Sequence, residues 1–134
     1  MLKNIINHTK HLIHKVSTHS KRSPQWAKLE KEFIKEHPTC AACGSSKRLN
    51  VHHKIPFSFD PSKELDPNNL ITLCMDKFCH LYIGHLDNFK LENEFVETDA
   101  LAMSKVSSDI FDKAIKELVD KRRVDKNLKK SFTT

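Results

Sequence analysis

Hydrophobic positions change their period several times along this chain, and each change marks an expected element. Leu2, Ile5, Ile6, Leu12, Ile13 and Val16 recur at steps of three and four, with Lys3, Lys10, His14 and Lys15 mostly elsewhere. That spacing predicts an amphipathic arm over residues 1–22. Its apolar stripe is expected to pack on the body or on another copy of the chain, which makes a homodimer one expectation for the assembly. Ser23-Pro24 has the form of a helix cap followed by proline in the first helical position. Trp26, Leu29, Phe33 and Ile34 then mark one face of a helix that must end before Pro38. Lys28, Lys31 and Lys35 read as its solvated face, and His37 as a helix-end residue.

The period then drops to two. Leu49 and Val51 alternate with Arg48 and Asn50 as in a short strand, which delivers His52 and His53 near its end because Pro56 cannot extend a ladder. Asp60-Pro61 and Asp66-Pro67 favour turns, so residues 57–67 read as a loop, with Phe57 and Phe59 as its anchors to the core. Leu70, Ile71, Leu73 and Cys74 form a second apolar strand, and from Cys79 a helix carries His80, Leu81, Ile83 and Leu86. Helical spacing returns in Met103, Val106, Ile110, Phe111, Ala114, Ile115 and Leu118, which predicts one long packing helix over residues 99–124. The fold class is α+β, organised as an arm over 1–22, one domain with flanking helices over 23–125 and a basic tail over 126–134.

Composition narrows the partners. A chain of 134 residues can bury a core as one domain without heavy covalent stapling. Its net charge of +6 attracts nucleic acid or an anionic surface more readily than an acidic partner. Lys121, Arg122, Arg123, Lys126, Lys129 and Lys130, set against Asp125, make a basic end that is either solvated or a further grip on phosphate. Lysines and histidines interrupt residues 1–20 before any apolar run reaches the length of a signal peptide or membrane span. A soluble, cytoplasmic protein with no membrane partner is therefore expected.

The cysteines fall in two pairs, Cys40 with Cys43 and Cys74 with Cys79, and without a secretory signal a metal is favoured over disulfides. Cys40-Ala41-Ala42-Cys43-Gly44 has the spacing at which two thiolates meet one tetrahedral ion, and Gly44 permits the tight turn of such a knuckle. Cys74 and Cys79 have four residues between them where two are commoner. Four thiolates together would close the coordination of zinc and make the site structural; the alternative is four reduced, partly buried thiols. His52 and His53 point to opposite faces of a regular strand. A division of labour, one holding a metal ion and the other moving a proton, is thus more economical than joint chelation. Histidine suits proton transfer because its ordinary pKa of about 6.5 lies near neutrality.

Val51-His52-His53-Lys54-Ile55-Pro56-Phe57, Asp66-Pro67-Asn68-Asn69-Leu70 and Cys79-His80, set in the cysteine frame, resemble the HNH (His-Asn-His) endonuclease family. The likeness runs from Cys40 to about Phe89 and more weakly back to Trp26. It implies a ββα-metal hairpin-helix core braced by the four-cysteine structural zinc site, and hydrolysis of phosphodiester bonds in DNA to 5′-phosphate and 3′-hydroxyl ends. By the resemblance, His52 stands at the first ligand of a catalytic divalent ion and His53 at the general base. Asn69 takes the place of the central asparagine, whose amide pins the loop and so orients the base, and His80 that of the closing ligand. His85 resembles a downstream histidine of many members. On a regular helix, however, a five-residue step turns it about 140° from His80, so it is expected as an auxiliary ligand or phosphate contact, or else as ordinary surface. The ion would be Mg2+, Mn2+, Ni2+ or Zn2+, and histidine at position 52, where relatives often carry aspartate, favours the transition metals.

The pattern around Trp26, His37-Pro38-Thr39-Cys40 and Gly84-His85-Leu86 is similar to small phage-encoded members that accompany DNA-packaging genes. That likeness implies the cytoplasm of a bacterial or phage-infected cell, with DNA-packaging proteins among the partners. Two rivals stand beside it. A zinc-knuckle nucleic-acid-binding module without catalysis would fail a metal-dependent plasmid-cleavage assay, and a nuclease toxin would have an acidic, tight-binding inhibitor protein.

Overall fold

Two short antiparallel strands stand at the centre of the fold in a computed structural model, which describes residues 22–133. The arm expected over residues 1–22 lies, apart from Arg22, outside the described residues. β1 (Leu49–His53) pairs with β2 (Leu70–Cys74), with Leu49 opposite Cys74 and His53 opposite Leu70. Opposed residues share a face of the sheet. Asn50, His52, Ile71 and Leu73 therefore lie on one side, and Val51, His53, Leu70 and Thr72 on the other.

Helix α1 (Trp26–Glu36) covers the second face. Phe33, Val51 and Leu70 are buried together there, with Trp26, Leu29 and Ile34 packed against them, as the apolar spacing requires. The Thr72 hydroxyl donates to the carbonyl of His37 at 3.0 Å and fixes the helix end to β2. The helix begins two residues later than the Ser23-Pro24 step suggests. Ser23 still organises the entry, since its carbonyl accepts from the Trp26 N–H at 3.0 Å and its hydroxyl accepts from the Gln25 N–H at 3.2 Å.

The first face carries the larger core. Ile71 and Leu73 pack with Cys40, Ala42, Cys74, Cys79 and Ile83, with Val96, Ala100 and Met103 of α2 (Val96–Ser104), and with Phe111 and Ile115 of α3 (Phe111–Thr133). Between β2 and α2, where a regular helix is expected, the chain makes a single π-helical turn, His80–Gly84. Leu86 and Asp87 adopt left-handed φ angles of 54° and 66° and end it. The carbonyls at the end of such a turn need outside donors. Asn93 supplies two: its N–H reaches Gly84 at 3.2 Å and its side-chain amide reaches Ile83 at 2.8 Å. The same amide donates to Asp99 at 2.9 Å, and Arg122 grips the Asp99 carboxylate through two bonds of 2.9 and 2.8 Å. α2 and α3 thus hold the π turn in place through Asn93.

Several expectations are corrected. The long helix over residues 99–124 is two helices, because Ser107-Ser108-Asp109 offers the backbone a turn instead. The Ser107 hydroxyl donates to Asp109 at 2.6 Å and the Ile110 N–H returns to the Ser107 carbonyl at 3.2 Å. Ile110, expected to pack, sits at this break and is 53% exposed. The second of these helices, α3, runs to Thr133 and includes most of the basic end. Asp60 and Asp66 cap short 3₁₀ turns, Pro61–Lys63 and Pro67–Asn69, by accepting from the N–H groups of Ser62 and Asn68. Phe59, expected as a core anchor, is 71% exposed. The loop is anchored by its polar residues, buried Glu64 and Asn69. No helix among the described residues is long and apolar enough to cross a membrane.

Asp99 is almost fully buried and its charge is neutralised by Arg122. Arg122→Met strands that carboxylate, and unfolding by urea should show a loss of about 3 kcal/mol or more. A loss below about 1 kcal/mol would mean that the pair contributes no more than a surface ion pair.

Candidate metal centres and active site

The knuckle before β1 brings the first two sulfurs together. Gly44, at φ 76°, allows its N–H to turn back to the Cys40 carbonyl at 2.9 Å, a backbone shape that a Cβ would strain. Ala41 N–H donates to Thr72 and Met75 N–H to Arg48, which fastens the knuckle beside β2. Cys74 ends that strand, and the reversal at Phe78, φ 60°, returns Cys79 to it. The four-residue gap therefore closes on the same point. All four sulfurs lie within 4.8 Å of one another, with Cys43 and Cys74 3.5 Å apart. Metal–sulfur distances of about 2.3 Å set a tetrahedral edge near 3.8 Å, so the set fits one ion. The crowded thiols perturb one another: the Cys79 S–H beside Cys40 holds it down to about 4, while burial pushes Cys43 up to about 11.

A second cluster forms on the first face of the sheet, where His52 meets His80 and His85. Each ring offers a nitrogen to a space in which these atoms lie within 4.8 Å of one another. Nε2 of His80 is 3.2 Å from Nδ1 of His52, close to the edge of a tetrahedron with metal–nitrogen distances of about 2.0–2.1 Å. The π turn explains how His85 arrives: i→i+5 bonding places residues five apart roughly over one another. Gly84 leaves room for the rings, since a Cβ there would come within 3.1 Å of the His52 ring and 3.2 Å of the His80 ring.

Burial keeps these imidazoles neutral, the form that binds metal. His52 is held well below its ordinary value, His80 is lowered to about 4 and His85 is lowered too, in each case chiefly by loss of solvent. Nδ1 of His85 donates to the Leu91 carbonyl at 2.9 Å, which leaves the lone pair on its Nε2. Nε2 of His52 and Nδ1 of His80 are buried with no hydrogen-bond partner among the described residues. Buried ring nitrogens left without partners are poorly satisfied by hydrogen bonding alone, and rings grouped in this way suit a cation. The residues fit a divalent ion.

His53 faces the other way. Its ring stacks on Trp26 at 4.5 Å, its Nε2 is 3.0 Å from the Glu64 carbonyl and its Nδ1 is 3.2 Å from Nη1 of Arg22. A carbonyl can only accept and a guanidinium can only donate, so the tautomer is settled: Nε2 carries the proton and Nδ1 the lone pair. Burial lowers the pKa of His53. Asn69, 4% exposed, clips the intervening loop, accepting from the Ile55 N–H at 2.8 Å and donating to the carbonyls of Ile55 at 3.0 Å and Lys63 at 3.3 Å. Lys63 directly precedes Glu64, whose carboxylate accepts from the Ser23 N–H at 2.7 Å. Near the end of β1 the two faces open into one pocket of about 380 Å3, lined by all four histidines with Arg22, Phe57, Ser58 and Glu92 among others.

Residues 40–85 match the family model for HNH endonuclease. This segment is similar to the HNH endonuclease family. It contains the knuckle, both strands and the π turn, roughly a third of the chain. Neither a search of curated proteins nor one of solved structures gave a match. The HNH family uses a divalent metal ion, and the histidine cluster lies within the matched segment.

The structure thus brings together Cys40, Cys43, Cys74 and Cys79 at one point, His52, His80 and His85 at a second, and His53 with the loop that Asn69 clips at the rim of the second. His85, which regular helical geometry would turn away, stands inside the cluster. Sequence reasoning overlooked Arg22, the Glu64 carbonyl, the stacked ring of Trp26 and Glu92. Glu92 is half-buried 3.5 Å from Nδ1 of His85, and burial raises its carboxyl to about 7. No local spacing pointed to these groups. The five-residue interval from His80 to His85 with glycine between them was the available signal for the π turn.

Two measurements test this geometry. Gly84→Ala should push the His52 and His80 rings apart and weaken divalent-ion binding at the histidine cluster about tenfold, while the cysteine site is unaffected; equal affinity would mean that the rings have room to spare. Without an ion in the cluster, the His80 ring should titrate near 4 by histidine NMR. Because its folded pKa lies below the ordinary 6.5, the associated stability is present above 6.5 and is lost as pH falls toward 4. A midpoint at or above 6.5 would show that the ring is exposed.

Proposed function

We propose that this protein is a metal-dependent endonuclease that hydrolyses phosphodiester bonds in DNA, with His53 as general base and with His52, His80 and His85 holding the divalent ion. The observation that carries the reading is the settled tautomer of His53, whose lone pair is presented in the same pocket as three neutral imidazoles. The net charge of +6 supports a polyanionic substrate. When bound, a divalent ion supplies Lewis-acid stabilisation of charge on the phosphate oxygens and on the leaving oxygen.

Nδ1 of His53 takes a proton from water as the water oxygen bonds to phosphorus. The bond from phosphorus to the 3′ oxygen breaks, its electron pair leaves on that oxygen, and a proton from solvent completes the 3′ hydroxyl. The other product carries the 5′-phosphate. Throughout, the Nε2–H remains donated to the Glu64 carbonyl and the ring remains against Trp26, so the imidazolium that forms does not rotate away from water. Asn69 positions this base at one remove, through Ile55 and the carbonyl of Lys63. His52, His80 and His85 present their lone pairs inward, and the Leu91 carbonyl keeps His85 in the required tautomer.

The cysteine set is proposed to hold zinc with no position left for substrate, as a brace worth on the order of 10 kcal/mol to a small fold. The same proposal places the protein in the cytoplasm of a bacterial or phage-infected cell.

Plasmid DNA incubated with chelated protein and single divalent ions added back tests the activity: cleavage should return with a transition metal, and failure with every ion would favour a binding module. His53→Ala should keep DNA and metal binding while cleavage falls by roughly two to four orders of magnitude. His52→Ala should regain part of its activity at high metal concentration, where His53→Ala does not. The reverse pattern would exchange the two roles. Cys43→Ser should lose zinc and unfold or aggregate, and a zinc-free wild type of full stability would exclude the brace.

A further inference from the structure

Arg22 lies outside the segment that matches the HNH family, on the chain entering α1, and nothing in the proposed hydrolysis uses it. It is an exposed residue, yet its guanidinium is bracketed by two aromatic rings, with Trp26 and Phe57 each 5.2 Å away. Flat cations rest well against aromatic faces. One of its N–H groups points at Nδ1 of His53 from 3.2 Å. That nitrogen holds the lone pair with which the base would accept a proton, and it cannot accept from water while it accepts from Arg22.

We infer that Arg22 is a latch: in the free protein it caps the lone pair of His53, and a phosphate of the substrate draws it off. The inference rests on the proposed nuclease reading and names how that site distinguishes an occupied from an empty pocket. The exchange follows from acceptor strength. A neutral imidazole is a weaker partner for a guanidinium than an anionic phosphate oxygen, which offers a bond with charge on both sides and a second oxygen for the planar fork. The acidic groups nearby do not compete on equal terms. The Glu64 carboxylate already accepts from the backbone of Ser23, and Glu92, in the same pocket, lies against His85. The Trp26 and Phe57 rings keep the guanidinium at the pocket mouth, so releasing His53 does not require it to leave. Arg22 would touch substrate directly, and one displacement would both grip a phosphate and free the base.

The test uses the full chain with nitrogen-15 histidine, zinc-loaded, and a phosphorothioate DNA duplex as the probe. In the wild type, the His53 Nδ1 resonance should be that of a hydrogen-bonded acceptor and should shift toward a free acceptor when the duplex is added. In Arg22→Met it should start at the shifted position and stay there. The slope of log affinity against log salt should fall by about one unit in Arg22→Met, and Arg22→Lys, which keeps the charge, should restore it. A purely structural arginine would change neither the wild-type resonance on DNA addition nor the slope. An unchanged resonance and slope in a protein that still cuts plasmid DNA would overturn the latch and leave the nuclease reading standing. Absence of both DNA binding and cleavage in the wild type would overturn the two together.

Discussion

The step from His80 to His85 can converge on His52 only if the backbone between them departs from the ordinary helix, and much of the surrounding structure serves that departure. A π turn is poorly satisfied at its ends. Here the open carbonyls of Ile83 and Gly84 are met by Asn93, which is held by Asp99 and, through it, by Arg122 of α3. Helices far from the pocket in sequence thereby determine where two of its imidazoles stand. Gly84 completes the arrangement by giving up the volume that a side chain would take from the His52 and His80 rings.

The sheet contributes a second constraint. Alternation along β1 sends His52 toward the π turn and His53 toward α1, so the group proposed to hold metal and the group proposed to move a proton are neighbours in sequence with different surroundings. His52 is among imidazoles and His53 between Trp26, the Glu64 carbonyl and Arg22. The cysteine cluster sits at the other end of the same two strands and is continuous with the apolar core. An ion there would cross-link the knuckle, the end of β2 and the start of the π turn, which is the framework on which the histidines are mounted.

Much of this was legible in the sequence because it is local. The alternation in Leu49–His53, the apolar run in Leu70–Cys74 and the spacing of Cys40 and Cys43 each depend on a few adjacent residues, and both strands and the cysteine cluster are present. Departures arise where a rule assumes regularity. A 3.6-residue period placed His85 away from His80, and it ran a single helix through Ser107-Ser108-Asp109, where side-chain hydrogen bonds turn the chain without glycine or proline. Phe59 was counted as buried on its residue type, and it is exposed. Arg22, Glu64 and Glu92 reach the pocket through contacts between distant parts of the chain, for which no spacing pattern exists.

Anomalous diffraction from crystals grown with a transition metal would examine the central claim directly, since it locates each ion against named side chains. Two ions per chain are expected: one among Cys40, Cys43, Cys74 and Cys79, and one within coordination distance of His52, His80 and His85. A histidine site bound by His52 and His80 while His85 points away, or the absence of any ion there, would contradict that claim.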